Sequence, residues 1–225
     1  IANNASLLLP FHSIIDQVRE KKLSQKKIGT TGRGIGPCYE DKIARRGLKI
    51  YDLEDVNSLR KRLQNLVNFH NIFLKNFSQK RISFDEIFKL LISIRKKILP
   101  FSIDVTEFIN SKYFLKKKFL FEGAQGLMLD IDHGTFPFVT SSNTIPAIAA
   151  VSIGIKPSKI GHILGVVKAY TTRVGEGPFP TELKNEIGKS IGKRGKEFGT
   201  VTNRKRRCGW FDAVLVKQSC ILSGI

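Results

Sequence analysis

The sequence has few cysteines, few acidic residues and no long apolar run, and these absences exclude several classes of protein. Its three cysteines, Cys38, Cys208 and Cys220, are widely spaced, which argues against a disulfide framework and a zinc site built on a CxxC pair. Apolar runs such as residues 87–94 are interrupted by lysine or serine well before the roughly 18 to 20 residues that a membrane-spanning helix requires. No basic-then-apolar signal pattern opens the chain. We therefore expect a cytoplasmic protein with no membrane partner.

Methionine is also nearly absent. The chain begins with Ile1, and its only methionine is Met128, so we expect the sequence to be a piece of a longer protein. Its 41% of hydrophobic residues suffices for a sizeable core, which excludes the disordered and fibrous classes. Because neither internal repeats nor a low-complexity linker occur, residues 1–225 are interpreted as a single, incomplete domain.

The shortage of acidic residues gives the chain a strong positive charge. It has 38 Lys and Arg residues but only 19 Asp and Glu residues, which gives a formal net charge of +19. Such a field attracts the phosphates of RNA, of lipids or of a small substrate without selecting among them. The lysines are scattered rather than interleaved with aromatic residues on one face. This pattern favours solvated surfaces, and RNA binding stays open as an alternative.

Apolar residues recur at helical spacing, which predicts helices at residues 9–23, 55–77, 83–99 and 210–222. The longest stripe consists of Leu59, Leu63, Leu66, Val67, His70 and Leu74. Ser83 and Glu86 form a capping box at the start of the third helix. Two of these helices give a helical segment around residues 53–100. His70 lies on or beside the apolar stripe, so we expect a packed core residue rather than a ligand.

Two short apolar runs have a different character. Residues 118–122 end at Gly123, and residues 162–170 end at a polar Thr-Thr-Arg turn. Short β-rich runs separated by helical patterns are typical of buried parallel strands in an α/β sheet. We therefore predict an α/β fold with a mainly parallel central sheet flanked by helices. Ligands of such sheets bind at the carboxyl ends of the strands.

Four loops combine glycine, hydroxyl and cationic residues, and they span residues 29–37, 121–126, 130–143 and 199–207. The first could cradle a phosphate with its N–H groups or form a tight turn, and no element of regular structure is expected in it. In the second, Gln125 offers a donor and an acceptor to a ligand, or it caps backbone groups.

The other two loops carry charged groups. In the third loop, Asp130, Asp132 and His133 could form a metal site or an acid–base pair, although three successive residues rarely point at one ion. The fourth loop ends in four consecutive cations, Arg204 to Arg207. Such a run binds carboxylates or phosphates through charge-assisted bonds, or it is a solvated basic surface.

Taken together, these stretches resemble adenylosuccinate synthetase, the GTP-dependent enzyme that joins IMP to aspartate. The matching segments are GTTGRGIGPCYEDKIARRGL (29–48), FEGAQG (121–126), LDIDHGTFPFVTSSNT (129–144), VKAYTTRVGEGPFPTEL (167–183) and RRCGWFD (206–212). Their order and spacing agree with the family over nearly the whole chain. The resemblance implies an incomplete P-loop-NTPase-like fold, in which GTP phosphorylates the 6-oxygen of IMP and the aspartate amine displaces that phosphate.

The resemblance also implies binding residues. For IMP these are Thr31, Arg45, Gln125, Thr140, Val174 and Arg204. Val174 would lie against the ribose, and Arg45 would reach into the IMP site of a partner protomer, which requires a homodimer. For aspartate the implied residues are Thr200, Val201, Thr202, Asn203, Arg204, Lys205 and Arg206. Arg206 would also lie near GTP. Val201 and Asn203 stand where the family usually has threonine and glycine.

The catalytic groups of the family are expected outside this sequence. The phosphate loop, with the aspartate that acts as base and binds Mg²⁺, and the catalytic histidine are expected before Ile1. The motif that recognises guanine is expected after Ile225. No catalytic or metal-binding residue is therefore assigned within the chain. The alternative to a ligase is a catalytically dead remnant or a basic protein that binds RNA or other anions.

Overall fold

The computed structural model describes residues 1–22, 28–111, 116–199 and 205–225. These residues form two compact units. The first contains the described residues within 1–23, 32–119 and 153–155, and the second contains those within 24–31, 120–152 and 156–225. None of the helices in the described ranges has both the length and the apolar character needed to cross a membrane.

The first unit is helical. Its α-helices are α1 (Pro10–Lys22), α2 (Ile35–Ile43), α3 (Val56–Asn76), α4 (Phe84–Ile98) and α5 (Val105–Asn110), and its short 3₁₀ helices are Ile50–Leu53 and Leu99–Phe101. The predicted capping box is confirmed in part, because the Ser83 side chain accepts the Glu86 N–H at the start of α4. Asp55 caps α3 by accepting the N–H of Asn57.

The core of the first unit is centred on the predicted stripe of α3. Leu59, Leu63 and Leu74 are fully buried there. They pack in one cluster with apolar residues of other segments, which include Leu7, Leu9, Phe11, Ile15, Leu48, Ile50, Leu53, Ile82, Ile87 and Leu91. His70 is 3% exposed, so its predicted place in the core is confirmed.

The glycine-rich loop at residues 29–37 contains more regular structure than the sequence predicts. Helix α2 begins at Ile35, so Gly36 and Pro37 lie in its first turn. The first-turn N–H groups of a helix have no intrahelical partner, and the missing N–H of Pro37 therefore costs no hydrogen bond. Gly34 precedes the helix with φ +85°, and a Cβ there would lie 2.4 Å from the carbonyl carbon of His12. Only glycine fits this approach of backbone to backbone.

Within its described part, the second unit contains three α-helices, two short 3₁₀ helices and two strands. They are α6 (Ile148–Ile153), α7 (Glu186–Arg194), α8 (Ala213–Ser223), β1 (Thr171–Arg173) and β2 (Arg207–Gly209), and the 3₁₀ helices are Leu127–Leu129 and Pro157–Lys159. The strands are antiparallel, with Thr172 opposite Cys208. Helix α8 confirms the predicted C-terminal helix and ends at Ser223, followed by the capping residue Gly224, which has φ +72°.

The predicted parallel sheet is not confirmed. The described part of the chain has only the two-stranded antiparallel sheet, and residues 118–122 and 162–170 form no strand. Leu120, Leu164 and Val166 are 95%, 89% and 94% exposed. An apolar β-rich run becomes a buried strand only when neighbouring strands complete its hydrogen bonds and cover its faces. The described residues supply no such neighbours to these two runs.

The interior of the second unit is unusually polar. Among its described residues the buried hydrophobic side chains are Ala150 and Cys208, whereas the carboxylates of Asp130 and Glu197 are buried. Charged groups that are hydrogen-bonded and paired can occupy an interior. The loops of this unit are therefore positioned mainly by polar contacts rather than by an apolar core.

Candidate functional site

The loop of residues 129–144 is built around the buried carboxylate of Asp130. Its oxygens accept hydrogen bonds from the backbone N–H groups of Asp132, His133, Thr144 and Ile145 and from the side chain of Asn143. Burial by itself would raise the pKa of Asp130, but the backbone hydrogen bonds outweigh it and lower that pKa. Within the same loop, the N–H of Thr140 donates to the Leu129 carbonyl at 2.8 Å. The ionised Asp130 thus fixes the shape of the segment that carries Thr140.

This geometry bears on the metal or acid–base site considered for Asp130, Asp132 and His133. Both oxygens of Asp130 are occupied by N–H donors, so its lone pairs are engaged within the loop. Asp132 accepts a hydrogen bond from Asn143 at 2.6 Å. The arrangement favours the structural interpretation of this acidic pair.

Gln125 lies at a turn that is joined to the same loop. It is an exposed residue with φ +67°, a left-handed conformation that few side chains adopt. The carbonyl of the next residue, Gly126, accepts a hydrogen bond from the Thr144 hydroxyl at 3.1 Å. This hydrogen bond joins the end of the 121–126 loop to the end of the 129–144 loop.

Arg173 connects the turn that carries Val174 to the 129–144 loop. Its Nη2 donates to the hydroxyl of Thr135 at 2.9 Å and to the carbonyl of Phe138 at 3.2 Å. The Val174 side chain beside it is 42% exposed. The predicted segments around Thr140 and Val174 are thus in contact through this guanidinium.

Arg207 connects the same turn to the end of the basic loop. Its guanidinium forms a two-point ion pair with Glu182, at 2.8 Å and 2.6 Å, and donates to the Gly177 carbonyl at 3.0 Å. The hydrogen bonds from Arg207 raise its pKa and lower that of Glu182. Backbone pairing and the hydrogen bond to Gly177 hold the strand that leaves the basic loop beside the turn of residues 171–177, and the ion pair joins the same strand to Glu182.

The base of the basic loop is organised by Glu197. One carboxylate oxygen accepts from Lys168 Nζ at 2.7 Å and from the Tyr170 hydroxyl at 2.5 Å, and the other accepts from Arg206 Nη1 at 2.8 Å. The Glu197 side chain is 3% exposed. Burial would raise its pKa, but the hydrogen bonds from Lys168, Tyr170 and Arg206 lower it to about 2. The hydrogen bond to Glu197 in turn raises the pKa of Tyr170.

The implied aspartate-binding residues are only partly within the described chain. Lys205 and Arg206 are described, and backbone contacts hold both beside the residues that precede the loop: Phe198 pairs with Lys205, and Arg206 N–H donates to the Glu197 carbonyl at 2.9 Å. Thr200, Val201, Thr202, Asn203 and Arg204 lie outside the described residues. The described part of this loop is therefore its base, where residues 197–198 contact residues 205–206.

Two predicted IMP-binding residues remain, Thr31 and Arg45, and they belong to different units. Thr31 is exposed and belongs to the second unit, as do Gln125, Thr140 and Val174, but within the described ranges it shares no hydrogen bond with those three residues. Arg45 belongs to the first unit, is exposed and has φ +61°.

Sequence reasoning missed the residues that hold these loops in place. Lys168, Arg173, Glu182 and Glu197 received no role, although Lys168, Glu182 and Glu197 form ion pairs and Arg173 forms partly buried hydrogen bonds. One signal was available for Glu197, which is a lone acid in the basic segment KRGKEFG. A single carboxylate among cations tends to be paired with them. Which cations it pairs with is set by the fold.

The two buried carboxylates of the second unit predict a loss of stability in acid. Because the pKa of Glu197 falls from 4.5 to about 2 on folding and that of Asp130 is also lowered, the unfolded chain binds protons first as the pH decreases. Their stabilisation is complete above about pH 5 and is lost as the pH falls towards 2, with Glu197 contributing on the order of 3 kcal/mol. Urea unfolding followed by the fluorescence of the single tryptophan, Trp210, should give a constant midpoint from pH 7 to 5 and a falling one below. A midpoint unchanged down to pH 3 would contradict the ion-pair network.

The adjoining loops of the second unit carry several hydrogen-bond donors. Threonine hydroxyls, a glutamine amide and paired arginines at adjoining loops are the donors that bind phosphates and carboxylates. The arrangement is therefore typical of a protein that binds small anions.

Comparison with known proteins gives the family. The family model for adenylosuccinate synthetase matches residues 1–225, and the chain belongs to the adenylosuccinate synthetase family. The fully ligated adenylosuccinate synthetase from Plasmodium falciparum is 38% identical and superposes with a TM-score of 0.92, covering 100% of this chain and 53% of that one. The predicted family resemblance is thus confirmed.

A second solved structure shares the fold. The succinoaminodeoxyadenylate synthetase of cyanophage S-2L, bound to dGMP and to dATP as an energy donor, is 19% identical with a TM-score of 0.64 and matches this chain over 100% of its length. The match covers 55% of the phage protein. The chain therefore spans about half the length of each of these two structures.

Proposed function

We propose that this chain supplies the IMP-binding and aspartate-binding parts of a ligase that forms adenylosuccinate from IMP and L-aspartate with GTP. The observation that carries the proposal is the family match over residues 1–225. The contacts among the loops that bear Gln125, Thr140 and Val174 support it. The intermediate would be 6-phosphoryl-IMP, whose phosphate the aspartate amine displaces.

In this proposal, neutral donors and cations have different tasks. Thr31, Gln125 and Thr140 bind the phosphate region of IMP with hydroxyl and amide groups, while Val174 packs against the ribose. The basic loop binds the two carboxylates of aspartate through its cations, since charge-assisted bonds to carboxylates are about twice as strong as neutral ones. Arg204 serves both substrates, and Arg206 also lies near GTP. Glu197 would hold Arg206 at the base of the loop through its 2.8 Å ion pair.

Three buried carboxylates, those of Asp41, Asp130 and Glu197, do not fit a Mg²⁺ site. The buried Asp41, Asp130 and Glu197 have their oxygens engaged by N–H or O–H donors, and a hard cation needs such oxygens free. We propose that Mg²⁺, the catalytic aspartate and histidine and the guanine site belong to residues outside this chain. No step proposed for the present residues passes through the metal.

Binding of IMP tests the proposal directly. Isothermal titration should give saturable IMP binding by the chain, and Arg45→Leu should weaken it about 10-fold to 100-fold, the range expected when a charge-assisted hydrogen bond is lost. Arg81→Leu is the matched control, because Arg81 is an exposed arginine of the same unit with no proposed role. It should bind within about twofold of the parent chain.

Two outcomes would count against the proposal. Equal affinities of the Arg45→Leu chain and the parent chain would remove Arg45 from the site. Absence of saturable IMP binding, together with RNA binding that weakens steeply with salt, would favour the anion-binding alternative suggested by the +19 charge. Several arginines that could contribute to RNA binding are already paired, including Arg19, Arg46, Arg206 and Arg207.

A further inference from the structure

A buried carboxylate in the first unit joins three helices. Asp41 on α2 is 0% exposed. Its Oδ2 accepts hydrogen bonds from His12 Nε2 on α1 at 2.9 Å and from His70 Nε2 on α3 at 2.7 Å. Its Oδ1 accepts from Arg46 Nε at 2.5 Å. We call Asp41, His12, His70 and Arg46 the Asp41 cluster.

The cluster has the composition of a metal site, but its hydrogen bonds exclude that use. The ligand atoms of His12, Asp41 and His70 lie within 4.8 Å of one another. The backbone N–H of Leu9 donates to His12 Nδ1 at 2.9 Å, so Nδ1 carries the lone pair and Nε2 carries the proton. A protonated Nε2 donates to Asp41 and offers no electron pair to a cation. His12 is therefore a neutral donor that holds the carboxylate.

The donors keep Asp41 ionised within the core. Burial alone would raise the pKa of Asp41, but the hydrogen bonds from His12, His70 and Arg46 more than offset it and the pKa is lowered. A buried charge with full hydrogen bonding has one well-defined geometry, because any displacement leaves a donor or a lone pair unsatisfied. Helices α1, α2 and α3 are thus fixed relative to one another at this point.

Asp41 also fixes the turn that carries Arg45. Its main-chain carbonyl accepts from the N–H groups of Arg46 and Gly47, at 3.1 Å and 3.0 Å. The Arg46 guanidinium is held at its other end by Glu40 at 3.1 Å and stacks on the ring of Phe69 at 4.0 Å. Arg45 lies inside this turn, between two fixed residues. Its φ of +61° costs about 1 kcal/mol for a side chain other than glycine and persists only where the surroundings enforce it.

We propose that Asp41 is a positioning residue, which fixes the left-handed turn so that the Arg45 guanidinium is presented to the IMP phosphate of a partner protomer. The inference rests on the proposed function, in which Arg45 acts in trans. Asp41 does not contact the substrate in this proposal, since it is buried among the three helices. Its effect on the site is transmitted through the conformation of residues 44–47.

A mixing experiment separates this role from a general structural one. Asp41→Asn should weaken IMP binding about 10-fold in titrations of the variant alone, because an amide cannot accept bonds at both positions. The second chain is Gln125→Ala, whose own pocket is impaired but whose Arg45 is intact. In a mixed dimer, the Asp41→Asn protomer keeps its own pocket and receives Arg45 from its partner. A 1:1 mixture with random exchange should therefore regain the parent affinity at about a quarter of all sites.

The controls distinguish failure of this inference from failure of the proposed function. Arg45→Leu mixed with Gln125→Ala should regain the same fraction of tight sites. If that control regains no tight sites, Arg45 does not act in trans, and the positioning role proposed for Asp41 is then also wrong. If the control succeeds while the Asp41→Asn mixture regains none, the inference alone is overturned, because Asp41 then acts on its own protomer. Parent-like binding by Asp41→Asn on its own would also overturn it.

A second pair of variants keeps the test decisive if Asp41→Asn does not fold. His70→Phe removes one donor and keeps an aromatic ring, and it should weaken IMP binding about threefold to 10-fold. His70→Gln retains an N–H donor near the position of Nε2, and it should restore most of that loss. Equal affinities of the His70→Phe and His70→Gln chains would argue against the Asp41 cluster as the device that orients Arg45.

Discussion

Replacing Glu197 by glutamine should lower the free energy of unfolding of the second unit by about 3 kcal/mol. The substitution leaves Lys168 and Arg206 without their shared anionic partner in a site where the Glu197 side chain is 3% exposed, and breaking a buried ion pair has a cost of this size. We take the lower end of the range because Lys168 and Arg206 remain 42% and 28% exposed and can be partly rehydrated. Urea unfolding monitored by Trp210 fluorescence measures the loss.

The matched control for this prediction is Glu186→Gln in the same unit. Glu186 pairs with Lys189 one helical turn away, but its side chain is 85% exposed. Exposed pairs of this kind contribute less than about 0.5 kcal/mol. A loss in Glu197→Gln no larger than that in the control would show that the buried pair does not anchor the loop.

The ionisation of Tyr170 gives an independent measurement of the same contact. Its pKa is raised chiefly by the hydrogen bond to Glu197. In the Glu197→Gln chain that pKa should return towards its ordinary value, as seen by absorbance titration against a Tyr170→Phe reference. If IMP and aspartate bind as proposed, aspartate affinity should fall more than IMP affinity, because the change lies at the base of the aspartate loop.

Replacing Asp130 by asparagine should have an effect of similar or greater size. An asparagine side chain has one acceptor oxygen, and its NH₂ group would face the N–H donors that Asp130 now accepts on both oxygens. Losing at least two hydrogen bonds to a buried charge should lower the free energy of unfolding by about 3 to 5 kcal/mol. Because Thr140 is in the same loop, IMP binding should weaken as well.

Hydrogen exchange can locate the effect of this substitution. The amides of Asp132, His133, Thr144 and Ile145 should exchange much faster in Asp130→Asn, since each loses its acceptor. Asp132→Asn is the control in the same loop, because Asp132 is exposed and accepts only from the Asn143 side chain within the described residues. It should cost at most about 1 kcal/mol. Unchanged protection of the four amides in Asp130→Asn would contradict the assigned role.

Local sequence patterns were enough to predict four of the eight α-helices that the structure describes, namely α1, α3, α4 and α8. The stripe from Leu59 to Leu74 and the cap at Ser83 depend on residues three or four positions apart, and the structure places both as expected. The family motifs were also sufficient to predict the family over the whole chain. The binding roles assigned through those motifs remain predictions, because no ligand contact has tested them.

The predicted strands show where local patterns were insufficient. Residues 118–122 and 162–170 have the composition of buried strands, yet Leu120 and Val166 are almost fully exposed. Composition reports what a segment could bury, but a sheet also requires partner strands from elsewhere in the sequence. The prediction for the glycine-rich loop was wrong in the opposite way. No regular structure was expected in it, yet α2 begins inside it at Ile35.

The sequence by itself determined the periods of four helices, the cap at Ser83, the positive charge and the family motifs, all of which can be read along the chain. Only the tertiary structure decided which groups surround each buried carboxylate. Asp41 meets His12 and His70, each 29 positions away, and Glu197 meets Lys168 and Tyr170 at similar separations. A charge in a protein interior must find its partners in three dimensions, and no spacing along the chain specifies them.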